Sequence, residues 1–539
     1  MTDQPPETTP AAAQEAASDA PADTGAQSGS QPLGERVDNR TRSPESEAFA
    51  EFMASQWAPA RDEDLPREEV ADHAARRRLR ISQEHTGERL VIPAGAPKVR
   101  SNDTDYRFRP HSAFAHLTGL GVDHEPNAVL VLEPVEPGTG DDGGDHEAVL
   151  YFHPMAGRDT REFYADARNG QFWVGDRPTL RELSSAYGLR TQDLSGLQPA
   201  LSKDVGADGV QVRLVRAQDA VVDSHVDSAR LAGGVLLEQA EARDDQLVER
   251  LSELRLIKDD HEIGQLRESV AMTARGFEDV VRALPRAIAK PRGERLVEGA
   301  FFARARAEGN DLGYDTIAAS GNNATVLHWI RNTGEIRPQD LILVDAGVEA
   351  DSLYTADITR TLPASGEFSP IQRKIYQAVL DAADHAFTVA VPGNRFRDVH
   401  DAAMSVLADR LEQWGLLPVP AEVSLSAQGQ HHRRWMPHGT SHHLGLDVHD
   451  CAQARRELYQ DAVIEPGMVF TIEPGLYFKE EDLAVPEEYR GIGVRIEDDV
   501  LITADGNENL SAGLPRTPED VESWMQGLFE SSSASSIAH

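Results

Sequence analysis

Four carboxylates in this chain stand where apolar, strand-like runs stop, and a fold that buries those runs must also provide for the charges. Asp345 ends Leu341-Ile-Leu-Val and precedes Ala346-Gly347, while Glu473 ends Val469-Phe-Thr-Ile and precedes Pro474-Gly475. Asp357 opens Asp357-Ile-Thr-Arg-Thr, and Glu497 follows Gly493-Val-Arg-Ile. A buried ionised carboxylate has to be paired, hydrogen-bonded or metal-bound. Strand alternation puts Asp357 and Thr359 on one face, and Arg495 and Glu497 on one side with Val494 and Ile496 toward a core. Taken singly, either aspartate reads as a cap or turn residue and the Arg495–Glu497 pair as a surface ion pair worth little. Taken together, strand ends deliver acids to one place.

A histidine cluster adds to them in Pro437-His438-Gly-Thr-Ser-His442-His443-Leu-Gly-Leu-Asp-Val-His449-Asp450. His438, His442 and His449 bracket Gly439, Gly445 and the apolar Leu444, Leu446 and Val448, as the lining of a cleft would. His431 and His432, in the polar run 430–434, read as solvated. A neutral imidazole in a cleft is a metal ligand or a proton carrier. Four carboxylates and an imidazole with no thiolate form a hard donor set that favours Mn(II), with Co(II), Fe(II) and Zn(II) as alternatives. Four negative charges at one point need cations, and two divalent ions about 3.5 to 4 Å apart with a bridging water are a known hydrolytic arrangement.

The rest of the chain sets the frame. At 539 residues it exceeds one ordinary core. Residues 1–45 are small and polar and read as a disordered tail. An α/β domain is expected over 46–250, an α+β domain over 255–527 and a second disordered tail over 528–539. Within the first domain, apolar runs at 127–133 and 147–153 flank a turn-rich stretch and read as a hairpin. In the second, a helix carries Ile263, Leu266, Val270, Phe277, Val281 and Leu284 on one face. Another helix covers 294–308, with strands at 315–320, 341–345 and 357–362. Helices at 370–387 and 397–414 then lead to strands at 469–473, 493–497 and 499–503. Two helices followed by strands, twice over, predict a pseudo-symmetric domain with its site at the joint. The net charge of −37 repels phosphate backbones and anionic lipids, so neither nucleic acid nor membrane is an expected partner. A lone cysteine, Cys451, suits a reducing compartment, and the cytoplasm is the expected location.

The five motifs around Asp345, Asp357, His438–Asp450, Thr471-Ile-Glu473-Pro-Gly-Leu-Tyr477 and Arg490-Gly-Ile-Gly-Val-Arg495-Ile-Glu497 resemble the bacterial aminopeptidase P (Xaa-Pro aminopeptidase) family. The resemblance runs from about residue 100 to 525 and takes in 101–121 and Val326-Leu-His328-Trp. It implies a C-terminal pita-bread domain behind a smaller N-terminal one, and release of the first residue from peptides with proline second. It implies that Asp345, Asp357, His442, Glu473 and Glu497 hold two manganese ions, with Asp357 and Glu497 bridging. It further implies that Glu473 helps activate water, that His328, His438 and His449 hold substrate or steady the tetrahedral intermediate, and that Tyr477 joins them in binding. Arg495 would orient Glu497. Trp173, in Gln171-Phe-Trp-Val-Gly175, matches a tryptophan that reaches a neighbouring subunit's site, so a homo-oligomer, tetramer or dimer, is implied. An X-Pro amide lacks an N–H and has a ring-fixed φ, which is why a dedicated pocket is needed. The rivals are prolidase, methionine aminopeptidase and a non-catalytic binding module on the same fold. One departure from the family pattern is an Asp345-to-Asp357 interval one residue longer, with the extra residue at Ala350-Asp351-Ser352.

Overall fold

Alternating apolar residues build the N-terminal domain of the computed structural model, which describes residues 44, 46–59, 61–102, 104–122 and 124–537. The tail expected over 1–45 lies outside the described residues except for Pro44. Helix α1 (Val70–Glu84) leads into β1 (Glu88–Pro93), followed by α2 (Ser112–Thr118) and the hairpin β2 (Val129–Pro134) and β3 (His146–Phe152). Strands β4 (Arg190–Asp193) and β5 (Gln211–Leu214) and helix α3 (Leu237–Leu254) also belong to it. The sheet order is β4-β3-β2-β1-β5, antiparallel within β1-β2-β3 and parallel at both edges. Leu90, Ile92, Leu130, Leu132 and Leu150 enter one core, and Val91, Val129, Val131, Val149 and Leu214 the other. Both faces are therefore covered, which is why the strands read as near-continuous apolar runs.

Asp259 starts the second domain by capping α4 (Asp260–Ala287), its carboxylate accepting from the amides of His261 and Glu262. Leu266, Val270, Phe277, Val281 and Leu284 are buried along this helix, and Ile263 partly so. Phe277 meets Phe301 of α5 (Gly293–Glu308) edge-on at 6.0 Å. The first half then supplies β6 (Asp311–Leu312), β7 (Ile317–Ser320), β8 (Leu341–Ala346), β9 (Val348–Glu349) and β10 (Ile358–Pro363). Helices α6 (Pro370–Val389) and α7 (Phe396–Gln413) open the second half. Ser369 and Gln372 form the capping box of α6, with Pro370 at its first turn. Strands β11 (Val469–Ile472), β12 (Gly475–Phe478), β13 (Ile492–Arg495), β14 (Asp498–Thr503) and β15 (Gly506–Asn509) follow. The β12 strand, paired antiparallel with β13, is an addition to the predicted elements.

A seam joins the two halves at the strand ends. The Glu497 amide donates to the Thr359 carbonyl at 3.1 Å, and the Thr361 hydroxyl to the Arg495 carbonyl at 2.9 Å. Arg360 donates to the Glu497 carbonyl at 2.6 Å and to Asp498 at 2.7 Å, and the Asp357 amide donates to Asp499 at 3.1 Å. These are buried contacts, so the seam is fixed rather than solvated.

The closing helix α8 (Pro518–Ile537) runs past the predicted start of a C-terminal tail at residue 528. Leu528 and Phe529 pack with Trp524 against the main core, which is apolar content the surrounding serines obscured in the sequence.

Candidate active site

Each acid is delivered by the end of an element whose apolar residues are committed elsewhere. Asp345 is the penultimate residue of β8, opposite Thr359 on one side and Ile317 on the other. Asp357 immediately precedes β10, Glu473 follows β11, and Glu497 stands in the two-residue break between β13 and β14. The histidine segment lies beside β11, with the Thr471 amide donating to the His442 carbonyl at 2.9 Å and the Glu473 amide to the Thr440 carbonyl at 2.8 Å. The result is a cleft of about 600 Å³ whose walls include Asp345, Asp357, Glu473, Glu497, His328, His438, His442, His449 and Arg495.

Ligand-type atoms of Asp357, His442 and Glu497 lie within 4.8 Å of one another. His442 Nε2 is 3.3 Å from Asp357 Oδ2, 3.8 Å from Glu473 Oε1 and 3.9 Å from Glu497 Oε1. Asp345 is held differently: Arg495 Nη2 donates to its Oδ2 at 2.5 Å, and the Tyr314 hydroxyl lies 2.6 Å from its Oδ1. The same Tyr314 oxygen is 2.5 Å from Asp357 Oδ1. A phenol has one proton, so it cannot satisfy both carboxylates at once.

The electrostatics express that crowding. Burial, then the neighbouring acids, push the Glu497 carboxyl well above the carboxylate range. Burial raises Glu473 to about 7 against the opposing pull of His442 and Arg495. Burial depresses the His442 imidazole, but its hydrogen bond to Asp357 and the charges of Asp357 and Glu473 outweigh that and raise it to about 9. Burial and then Arg495 hold His438 down at about 3, and burial with the neighbouring His442 lowers His449. Two of the imidazoles facing the cleft are thus neutral near pH 7.

Residues 264–504 match the model of metallopeptidase family M24, and residues 73–211 match that of the aminopeptidase P N-terminal domain. Xaa-Pro aminopeptidase 1 of Streptomyces coelicolor is 50% identical over 483 residues, covering 90% of this chain and 93% of that protein. The chain belongs to the aminopeptidase P family of M24 metallopeptidases. The Escherichia coli Xaa-Pro aminopeptidase is 35% identical over 456 residues, covering 84% and 96%. Among solved structures of the family, proline aminopeptidase P II from Yersinia pestis superposes with a TM-score of 0.72 at 30% identity, covering 85% of this chain and 99% of that one. A zinc-substituted Escherichia coli aminopeptidase P in complex with product gives a TM-score of 0.71 at 31% identity, covering 86% and 99%. The pita-bread fold with its N-terminal domain is therefore established for this chain.

The donor set fits a metal centre of this family. Four carboxylates and one imidazole converge, Arg495 is, among the described residues, the arginine whose guanidinium pairs with one of these carboxylates, and a single phenol proton lies between two of the acids. A hard divalent cation answers that excess of negative oxygen.

The other predicted residues have these surroundings. Arg495 does not contact Glu497; it pairs with Asp345, and its Nε donates to Thr359 Oγ1 at 3.1 Å, while the Thr359 hydroxyl donates to Glu497 Oε2 at 2.6 Å. Tyr477 sits behind His438 instead of on the cleft wall, its hydroxyl 2.7 Å from His438 Nε2 and 3.1 Å from Arg495 Nη1. Trp173 is exposed on the N-terminal domain, its indole donating to the Tyr164 carbonyl at 2.8 Å, and is absent from the cleft of its own chain. His432, read as solvated, is buried with Nδ1 3.0 Å from the Ser424 hydroxyl. Asp351, in the longer interval, is exposed in the turn before Leu353, which takes φ +73°, and stands outside the cleft. Tyr314 and Asp499 are additions that the sequence patterns did not flag. Asp499 accepts the Asp357 amide, and burial followed by the Asp357 charge raises its carboxyl well above the usual range.

Proposed function

We propose that this chain is an Xaa-Pro aminopeptidase that would use two divalent metal ions, Mn2+ by preference, which Asp345, Asp357, His442, Glu473 and Glu497 would hold. The observation that carries the reading is the convergence of Asp357, His442 and Glu497, with Glu473 beside them, on one cleft. When bound, the metal pair supplies Lewis-acid polarisation of the scissile carbonyl and an activated water.

The chain's own residues do the rest. Glu473, whose Oε1 lies 3.8 Å from His442 Nε2 on the cleft wall, is placed to accept a proton from the attacking water and return it to the departing proline nitrogen. His449, its pKa lowered by burial, is placed to donate a hydrogen bond to the carbonyl oxygen as charge develops on it, while His438, its Nδ1 beside the Gly439 carbonyl and its Nε2 2.7 Å from the Tyr477 hydroxyl, holds substrate from the cleft wall. His328 borders the same space, and Ile317, Leu327, Ile330 and Val448 supply apolar wall for the proline ring and its neighbour. Tyr477 fixes the His438 ring and so serves substrate binding through it. Trp173, 52% exposed, is available to a second subunit of a homo-oligomer, tetramer or dimer. A single cysteine excludes an internal disulfide, in keeping with cytoplasmic residence. The same reading keeps the N-terminal domain at 46–250 and the catalytic domain at 255–527.

Metal analysis of purified protein, run beside hydrolysis of Arg-Pro-Pro and Arg-Pro, tests the function. Release of arginine from the tripeptide by metal-loaded protein is expected. Cleavage of the dipeptide alone would make the protein a prolidase, and metal-free protein without turnover would make it a binding module. Asp357→Asn and His442→Ala are each expected to lower kcat at least about a hundredfold with unchanged circular dichroism, as loss of a metal ligand does.

A further inference from the structure

We propose that Arg109, a residue of the N-terminal domain, is a positioning residue for His449. It clamps the loop that carries His449 to the segment between Asp345 and Asp357, so the N-terminal domain helps set the geometry of the catalytic cleft in its own chain. The inference rests on the peptidase reading given above.

The guanidinium reaches four groups from the loop before α2, one of them Asp447 Oδ1, 3.4 Å from its Nη1. Its Nε donates to Glu349 Oε2 at 2.6 Å, its Nη2 to the Leu446 carbonyl at 2.5 Å and its Nη1 to Ser112 Oγ at 3.3 Å. The Ser112 hydroxyl in turn donates to Asp447 Oδ1 at 2.6 Å. Glu349 lies on β9, between the two aspartates, and is 4% exposed. Its second oxygen accepts from Asn310 at 2.7 Å, so the carboxylate is held from both sides. Leu446 and Asp447 lie between His442 and His449, whose rings are 4.3 Å apart.

From within, the loop is closed at its ends by the Asp450 amide, which donates to the His443 carbonyl at 3.0 Å. The Gly445 amide donates to the Asp447 carbonyl at 3.2 Å, and the Thr355 amide to the Gly445 carbonyl at 3.0 Å. Residues 446–449 themselves take no part in a helix or strand. A planar fork with donors in fixed directions can span a carboxylate and a carbonyl together, whereas a lysine ammonium is a single point. Arg109 is about a third exposed, so its bonds weigh more as geometry than as folding energy.

A double-mutant cycle tests the clamp, with Arg109→Ala, His449→Ala and the double variant assayed on Arg-Pro-Pro in the metal-loaded full-length protein. Arg109→Ala is expected to lower kcat about tenfold or more with KM changed less than threefold. The double variant is expected to be no slower than His449→Ala, because a residue acting through His449 has nothing left to position. Arg109→Lys, which keeps the charge but not the fork, is expected to fall between wild type and Arg109→Ala, and it takes the place of Arg109→Ala in the cycle should that variant not fold. Hydrogen exchange of the amides in 443–450 is expected to be faster in Arg109→Ala than in wild type, a readout independent of turnover. An additive loss in the double variant, an unchanged kcat or unchanged exchange would overturn the proposal. A wild type inert on the tripeptide would count against the peptidase reading, leaving the exchange result to decide the clamp.

Discussion

Thr359 shows how much of the site depends on a neutral side chain. Its hydroxyl donates to Glu497 and accepts from Arg495, while Arg495 holds Asp345, so one oxygen couples acids from both halves. Thr359→Val keeps the shape and removes both bonds. About a tenfold or greater loss of kcat/KM and weaker metal retention are expected, in line with changes to groups that orient metal ligands. Titrating the metal back into chelated protein checks this, and wild-type affinity in the variant would refute it. At this scale the sequence was informative about charge and poor about partners. Asp345, Asp357, Glu473 and Glu497 stood out because an acid at the end of a buried strand is anomalous in its own segment. Tyr314 did not, because a tyrosine ahead of a strand is ordinary until the fold puts its hydroxyl between two acids. The expected Arg495–Glu497 contact relied on strand alternation, which lapses because β13 ends at Arg495.

Elements place these residues through close backbone approach. Gly347, between β8 and β9, has no room for a side chain, since a Cβ there would stand 1.6 Å from the Ala356 carbonyl oxygen. That approach brings the strands bearing Asp345 and Asp357 together. Gly347→Ala is therefore expected to abolish turnover and lower the melting temperature, and a variant with normal kcat would contradict the reading. Phe277, fully buried against Phe301, serves as the comparison, because truncation to alanine there costs about 3 to 5 kcal/mol without touching the cleft. Chemical denaturation is expected to report that loss in Phe277→Ala, with kcat retained at low denaturant. The long helices were legible from their 3.6-residue period. The short β12 was not, because Gly475-Leu-Tyr-Phe follows a proline and gains its strand identity from pairing with β13. The same limit applies to His432, whose polar neighbours hid a partner in Ser424.

Across the whole molecule, the cluster makes stability depend on pH and metal together. Glu473 has a folded pKa near 7, above its unfolded value, so its contribution is fully present below the unfolded pKa of about 4.3 and is lost as pH rises to about 7. His442 is likewise raised, to about 9, so its contribution is present below the unfolded pKa of about 6.5 and is lost between there and about 9. Both signs agree. Metal-free protein is expected to melt at a lower temperature at pH 8.5 than at pH 6. Metal binding favours the ionised acids and the neutral imidazole, so added Mn2+ is expected to raise the melting temperature more at pH 8.5. Calorimetry with and without chelator measures both, and equal metal-induced shifts at the two pH values would show that these groups are not the ligands.

The seam has a consequence for anyone following this protein as it denatures. The contacts that hold one half to the other, from Asp357 to Thr361 and from Arg495 to Asp499, also fix the groups around the cleft. Opening the molecule and silencing it are then a single event. Residual turnover becomes a gauge of how many molecules remain shut, and a chain severed between α7 and His438 would recover activity only as its two fragments found each other again.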